Sequence, residues 1–226
     1  MKGGGSDEAK RRAAESAASQ VEDGMVVGLG TGSTTAYAIR ELGSRVREGV
    51  DIRGVPTSFQ ARELAREAGI PLTSLDESTP DIAIDGADQV AGRNLVKGGG
   101  AAHAREKIVD TAADRFLVVV DSTKVTTELD HFVPVEVLPG ARTTAATRMT
   151  ELGGKPTLRR AKRKDGPVIT DNGNLVLDCD FGEIGDPATL ARKVSTIPGV
   201  VEHGLFVDCA DEIHVGTDDS VRVDRF

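Results

Sequence analysis

Asp81-Ile82-Ala83-Ile84-Asp85-Gly86-Ala87-Asp88 is the stretch whose reading decides the fold. An unbroken apolar run from Ile82 to Ile84 is what a strand buried on both faces looks like. Two carboxylates three residues apart follow it, at the carboxyl end, where open α/β sheets hold ligands. Lys97-Gly98-Gly99-Gly100 and Arg105-Glu106-Lys107 come next. A triple glycine has nothing to pack; it allows a tight turn that points bare N–H groups at an anion or oxyanion. A helix starting near Ala101 carries Glu106 in its second turn. Three acids, a lysine and a glycine turn on one strand, one loop and one helix read as a proton-transfer site with a place for negative charge.

Outward from this stretch, strands and helices alternate. Asp7 to Val21, rich in Ala, Glu, Lys and Arg with Ser6 as N-cap, reads as a helix. Met25 to Gly30 is a strand, Ser33 to about Val46 a helix with Ala36, Ile39 and Leu42 on one face, and Ile52 to Val55 a strand. Thr57 and Gln60 have capping-box spacing before a helix that ends at Gly69. Asp81 to Ile84, Ala101 to Ala113 and Phe116 to Val120 continue the pattern as strand, helix and strand. Such alternation predicts an α/β fold, a parallel sheet with helices on both faces.

From about residue 131 the pattern changes. Val133 to Leu138 reads as a strand and Thr143 to Leu152 as a helix. Thr157 to Arg163 and Val168 to Thr170 flank a turn at Lys164-Asp165-Gly166. Leu175 to Cys179 is a strand, Pro187 to Ile197 a helix and Val200 to Phe206 a strand. With the runs flanking Asn172-Gly173 as the central pair, this is the split β-α-β-β-α-β order of a small α+β domain, 131–206. The first domain, 1–130, is completed by the segment 207–226, whose runs Glu212 to Val215 and Val221 to Val223 return to its sheet.

Composition narrows the function. Six Phe, one Tyr and no Trp among 226 residues leave little surface for base stacking, and a net charge of -8 opposes phosphate backbones and anionic membranes. Neither nucleic acid nor membrane is an expected partner, so any phosphate site must be local, made of backbone amides and one or two lysines. No apolar run approaches the ~20 residues of a membrane span. Met1-Lys2-Gly3-Gly4-Gly5-Ser6 lacks the apolar stretch of a signal peptide, and its glycine run is the one flexible-looking segment. Cys179 and Cys209 stand apart, which suits a reducing, cytoplasmic setting. His103, His131, His203 and His214 show no ligand spacing, so no metal is expected. The acidic excess fits a salt-adapted source or an ordinary acidic protein equally.

Each motif has a plain structural alternative. Gly28-Leu29-Gly30-Thr31-Gly32-Ser33-Thr34 fails the dinucleotide fingerprint, with Ser33 where a third glycine is needed, and lacks the lysine of a Walker loop. A strand–loop–helix with three glycines and three hydroxyls suits a phosphomonoester; a tight turn capped by Ser33 explains it as well. Asp85 and Asp88 either serve chemistry or bond their own turn. Lys97 holds a developing oxyanion or is a solvated loop residue. Glu106 is a general base or part of a charged, solvated face. Lys124, in Asp121-Ser122-Thr123-Lys124, ends the strongest strand, where strand ends converge. Arg159-Arg160-Ala161-Lys162-Arg163-Lys164 reads as a solvated strand rather than a nucleic-acid patch. Thr170-Asp171-Asn172-Gly173-Asn174 is explained by the turn it must make.

In order and spacing, these motifs resemble ribose-5-phosphate isomerase, type A. Gly30 to Thr34, Pro56-Thr57-Ser58, Asp85 to Asp88, Lys97 to Gly100, Arg105 to Lys107, Ser122 to Lys124 and Thr170 to Asn174 carry the resemblance over nearly the whole chain. It implies a Rossmann-like catalytic domain with a ferredoxin-like lid, as a homodimer or homotetramer in the cytoplasm. The implied reaction interconverts D-ribose 5-phosphate and D-ribulose 5-phosphate in the non-oxidative pentose phosphate pathway, without metal or organic cofactor. Glu106 matches the family's catalytic base; for an enediolate route Asp85 and Asp88 are expected to open the ring and shuttle the O1/O2 proton, and Lys97 to stabilise the charge. Thr31, Gly32, Ser33, Thr34, Asp85, Gly86, Ala87, Asp88, Lys97, Gly98, Gly99, Gly100 and Lys124 match substrate-binding positions, and Lys10 matches a lysine that approaches the phosphate. Gln89 stands where the family commonly has Glu, and the loop from Val90 to Leu95 is slightly short. Competing readings are an amino-sugar phosphate deaminase of similar fold and a non-catalytic sugar-phosphate sensor.

Overall fold

The computed structural model describes residues 5–226; Met1 to Gly4, the start of the N-terminal stretch read above as flexible and without signal character, lie outside them. In chain order the elements begin α1 (Asp7–Ala18), β1 (Val26–Leu29), α2 (Ser33–Arg47), β2 (Arg53–Pro56), α3 (Phe59–Ala68) and β3 (Ile82–Asp85). Then come β4 (Gln89–Ala91), β5 (Asn94–Val96), α4 (His103–Ala112), β6 (Arg115–Asp121), β7 (Val133–Val137), α5 (Arg142–Glu151) and β8 (Lys155–Leu158). The last are β9 (Leu175–Asp180), α6 (Pro187–Ser195), β10 (Val200–His203), β11 (Leu205–Phe206), β12 (Glu212–Gly216) and β13 (Val221–Arg225). They form two compact units. The first holds the chain up to Ala87, Arg105–Val125 and Cys209–Phe226; the second holds Asp88–Ala104 and Thr126–Asp208.

In the first unit six strands form one sheet in the order β13-β12-β6-β3-β1-β2, parallel except for the β12–β13 pair. Its five parallel strands therefore run 2-1-3-4-5, a doubly wound order whose direction reverses between β1 and β3. The apolar runs explain the strands: Phe116 to Val120 of β6 are buried, as are Ile82, Ala83 and Ile84 of β3. On α1, Ala9, Ala13, Ala14, Ala17 and Ala18 make a buried small-residue face. The core joins Val27, Leu29, Ile39, Leu42, Ile82, Ile84 and Leu117.

Two local expectations are corrected here. α3 is capped by Ser58, whose side chain accepts from the Ala61 N–H, and not by a Thr57–Gln60 box; Thr57 is buried and its hydroxyl is engaged with Thr31. α4 starts at His103 rather than near Ala101, which puts Glu106 in its first turn rather than its second. Ala101 has a left-handed φ of 61°, a conformation that cannot begin a right-handed helix.

In the second unit β7, β8, β9 and β10 form an antiparallel sheet in the order β10-β7-β9-β8. With α5 and α6 between its strands, this is the split β-α-β-β-α-β arrangement expected above, but the central pair of that order is β8 and β9: the run Val168 to Thr170, expected as one of that pair, makes only an isolated bridge from Ile169 to Leu175. Val133, Val135, Val137, Met149, Leu177 and Val194 fill its core. The run Val200 to Phe206 is not one strand. It breaks at Gly204, so that β10 joins the four-stranded sheet and β11 joins a three-stranded one, β11-β5-β4. β4 and β5 are a hairpin turned at Gly92 (φ 56°), where the sequence suggested a loop. The run Thr157 to Arg163 is also shorter than expected: β8 ends at Leu158, and beyond it only Arg160 and Pro167 bridge.

Candidate active site

Within the first unit the carboxyl ends of β1, β2 and β3 are tied together. The Gly30 N–H donates to the Ile84 carbonyl at 3.0 Å and the Thr57 N–H to the Leu29 carbonyl at 2.9 Å. These ends flank the reversal of strand order, where doubly wound sheets bind ligands. α2 starts here with Gly32 (φ 130°) as its N-cap and no side-chain capping bond. Ser33 is the first helical residue, so the capped-turn alternative does not hold. The first-turn amides of α2 keep the positive helix end open to an anion. Thr31 Oγ1 lies 2.6 Å from Ser58 Oγ and 2.9 Å from Thr57 Oγ1, a hydroxyl cluster beside that helix end.

Asp85 anchors this loop. It is fully buried, and its Oδ1 accepts from the Thr31 N–H at 3.0 Å and the Gly86 N–H at 2.6 Å. It thus does more than close its own turn. Glu106, expected either as a base or on a solvated face, is 3% exposed between half-buried Arg105 and Lys107, so it is not on a solvated face. The Arg105 guanidinium lies 5.2 Å from the centroid of the exposed Phe59 ring. Lys124 ends a one-turn 3-10 helix after β6, held by Asp121 Oδ1 accepting from the Thr123 N–H at 2.9 Å. Lys10, on α1, lies with its Nζ 3.6 Å from an Asp7 carboxylate oxygen.

The second unit, taken by itself, holds a separate cluster. Asp88, partly exposed, accepts the Gly99 N–H at 2.7 Å, and its own N–H donates to the Val96 carbonyl. Lys97 is not a solvated loop residue. It is 2% exposed, with its ammonium 5.3 Å from the centroid of the Phe206 ring. Its main chain is fixed by Gly204: the Lys97 N–H donates to the Gly204 carbonyl at 2.8 Å, and a Cβ at Gly204 would lie 2.1 Å from the Lys97 carbonyl oxygen. Gly98 needs to be glycine twice over. Its φ is 103°, and a Cβ there would lie 2.7 Å from Nδ1 of the buried His103. The turn closes with the Ala101 N–H on the Gly98 carbonyl at 2.9 Å.

Nothing in the sequence marks Glu136, and His103 is set apart there only by its lack of metal-ligand spacing. Glu136 is fully buried on β7 and accepts from Thr170 Oγ1 (2.9 Å), Asn172 Nδ2 (3.1 Å) and Asn174 Nδ2 (2.8 Å). The Thr170 to Asn174 segment is therefore a turn folded around a buried carboxylate. Among the described residues, no group of three or more His, Cys, Asp or Glu is placed to hold a metal ion.

Residues 53–220 match the sequence model of the family described as ribose 5-phosphate isomerase A (phosphoriboisomerase A). The chain is 69% identical over 220 residues to ribose-5-phosphate isomerase A of Natronomonas pharaonis, covering 97% of this chain and 98% of that protein. It belongs to the ribose 5-phosphate isomerase A family. The protein of that name from Methanosarcina acetivorans is 58% identical over 213 residues, covering 93% of this chain and 91% of the relative. Among solved structures, ribose 5-phosphate isomerase A from Methanocaldococcus jannaschii superposes with a TM-score of 0.94 at 46% identity, covering 97% of this chain and 99% of that one. A D-ribose-5-phosphate isomerase in complex with phospho-erythronic acid superposes with a TM-score of 0.95 at 46% identity and the same coverage.

The departure from the family's pattern at Gln89 has a local reason. Gln89 Oε1 accepts from the Asp130 and His131 N–H groups at 2.8 and 2.9 Å, while its Nε2 donates to the Asp130 carboxylate. A glutamate could accept the two amides but would set a second carboxylate against Asp130.

Proposed function

We propose that this chain is an aldose–ketose isomerase that interconverts D-ribose 5-phosphate and D-ribulose 5-phosphate through an enediolate, in the non-oxidative pentose phosphate pathway. The observation that carries the reading is the burial of Glu106, a helix carboxylate withdrawn from solvent in a chain of this family. Glu106 takes the proton from C2 of the open-chain aldose and returns it to C1. As C2 loses its proton the C1 carbonyl becomes the enediolate oxygen; as C1 gains one the carbonyl re-forms at C2. Asp85 and Asp88 bind hydroxyls, assist ring opening and move the proton between O1 and O2. Lys97 with the amides of Gly98, Gly99 and Gly100 stabilises the enediolate charge. Gly86 and Ala87 line the sugar. The phosphate rests on Thr31, Gly32, Ser33 and Thr34 at the open end of α2, with Lys124 and Lys10 adding positive charge.

The same proposal takes a catalytic domain over 1–130, completed by 207–226, and a ferredoxin-like lid over 131–206. It further takes a cytoplasmic homodimer or homotetramer that needs no cofactor and binds neither nucleic acid nor membrane. No helix among the described residues is long and apolar enough to cross a membrane.

The test is formation of ribulose 5-phosphate from ribose 5-phosphate by purified, chelator-treated protein. Turnover at rates typical of enzymes, on the order of 1–10³ s⁻¹, supports the reading. Binding without turnover points to a sensor, and ammonia release from glucosamine 6-phosphate points to a deaminase.

A further inference from the structure

In the basic run 159–164 one side chain stands apart. Arg160, Lys162, Arg163 and Lys164 are exposed, whereas the Arg159 side chain is 12% exposed and pairs with Asp178. Arg159 Nε lies 2.9 Å from Asp178 Oδ2, and Nη2 donates to Asp178 Oδ1. This fork leaves Nη1 for other acceptors, and it finds two: the Gly98 carbonyl at 2.8 Å and the Gly99 carbonyl at 3.1 Å. The main chain of Arg159 is itself fixed, its N–H on the Val176 carbonyl and its carbonyl receiving the Val168 N–H.

The consequence lies in peptide geometry. A trans peptide is planar, and its N–H points opposite its C=O. Holding the carbonyls of Gly98 and Gly99 on one guanidinium nitrogen therefore aims the N–H groups of Gly99 and Gly100 the other way. The Gly99 N–H shows which way that is, since it meets the Asp88 carboxylate at 2.7 Å. Three consecutive glycines have no intrinsic preference for this orientation; the turn's own bond, the Ala101 N–H on the Gly98 carbonyl, fixes one of the two carbonyls, and Arg159 holds both.

We propose that Arg159, braced by Asp178, is a positioning residue that orients the glycine turn so that the Gly99 amide holds the Asp88 carboxylate and the Gly100 amide is free to meet the charge developing on the reacting sugar. The inference rests on the isomerase reading above. It adds that the amide direction is set by a side chain remote in sequence, one residue past the end of β8. A lysine at 159 reaches one carbonyl but cannot make the two-pronged pair with Asp178.

Arg159→Ala, Arg159→Lys and Asp178→Asn test this through steady-state kinetics and through binding of two probes, inorganic phosphate and phospho-erythronic acid. Phosphate engages only the anion end, whereas the carboxylate of phospho-erythronic acid offers two oxygens as an enediolate does. Arg159→Ala is expected to lose about 10²-fold in kcat with little change in KM, the size of effect that an ångström of misplacement produces. It should bind phospho-erythronic acid at least about tenfold more weakly and phosphate unchanged, and added guanidinium should restore part of the rate. Arg159→Lys and Asp178→Asn should fall between it and the parent. Retention of kcat within about threefold overturns the proposal. So does an equal loss of both probes, which marks a general structural role. If Arg159→Ala fails to fold, Asp178→Asn carries the same two readouts. Should the parent protein lack isomerase activity, the isomerase reading fails, while the split between the two probes still decides whether Arg159 orients the turn.

Discussion

A methyl group placed on Gly30 would lie 2.1 Å from the carboxylate carbon of Asp85. No rotamer of a new side chain resolves that overlap, because Asp85 is fully buried and held by the Thr31 and Gly86 amides. Gly30→Ala should therefore push Asp85 off the loop that leads into α2. The expected outcome is a loss of about 1–3 kcal/mol in stability, the usual cost of overpacking, with weaker binding of inorganic phosphate. Thermal melts with and without phosphate read both effects; unchanged melts in both conditions would remove Asp85 as the anchor of the loop.

Lys97 is tested by removing its charge. Taking one charged group out of a buried polar setting leaves its neighbours unmatched and costs stability. Lys97→Met is expected to melt below the parent temperature and, in the folded protein, to lower kcat about 10²–10³-fold, as when an oxyanion donor is removed. A destabilised but fully active variant would assign Lys97 to the fold alone.

His214 gives the first unit a dependence on pH. It is fully buried, 2.8 Å from Ser16 Oγ and 3.3 Å from Glu212 Oε2. Burial pushes its pKa below the ordinary histidine value, although Glu212 pulls the other way. Burial also pushes Glu212 up, but the bonds from Gln20 and Arg115 outweigh it and hold that carboxyl low. Between the folded and unfolded histidine values, the unfolded chain carries the extra proton, so stability falls as pH drops below about 6.5. A depressed Glu212 adds a further loss at lower pH. The melting temperature should thus decline on acidification, and His214→Gln should flatten the part of the decline that begins near neutrality. Parallel pH profiles for the two proteins would exclude His214 as the source.

Neither Cys179 nor Cys209 is in a disulfide. Burial, with the neighbouring Asp180 charge, pushes the pKa of Cys179 up to about 12. At pH 8 only about one molecule in 10⁴ carries the thiolate that reacts. A thiol reagent should therefore leave Cys179 untouched in the native protein and label it after unfolding, whereas the partly exposed Cys209 reacts first. Rapid native labelling at Cys179 would contradict its burial.

Much of this was legible because the sequence repeats simple signals. Unbroken apolar runs gave β3 and β6, and the change of rhythm after residue 131 gave the succession of strands and helices around the four-stranded sheet, though not the identity of the central pair in that succession. The proposed site residues were legible as a pattern along the chain: Asp85 ends an apolar strand, Lys97 precedes three glycines and Glu106 follows them. What stayed hidden depends on contacts distant in sequence. Lys97 and Glu106 look like surface charges until the burial around them is seen. The β4–β5 hairpin is too short for periodicity. The break at Gly204 depends on the Lys97 carbonyl that approaches it, and the orientation of the glycine turn depends on Arg159, about sixty residues downstream.

The central claim is that one carboxylate moves the proton between C2 and C1, and Glu106→Gln tests it most directly. The substitution keeps size and shape but removes the base. Turnover of ribose 5-phosphate is expected to fall 10²–10⁴-fold, a range of about that usual for a lost general base, while KM and the binding of phospho-erythronic acid stay near the parent values. A turnover number within about tenfold of the parent, in a variant that still binds that ligand, would contradict the account.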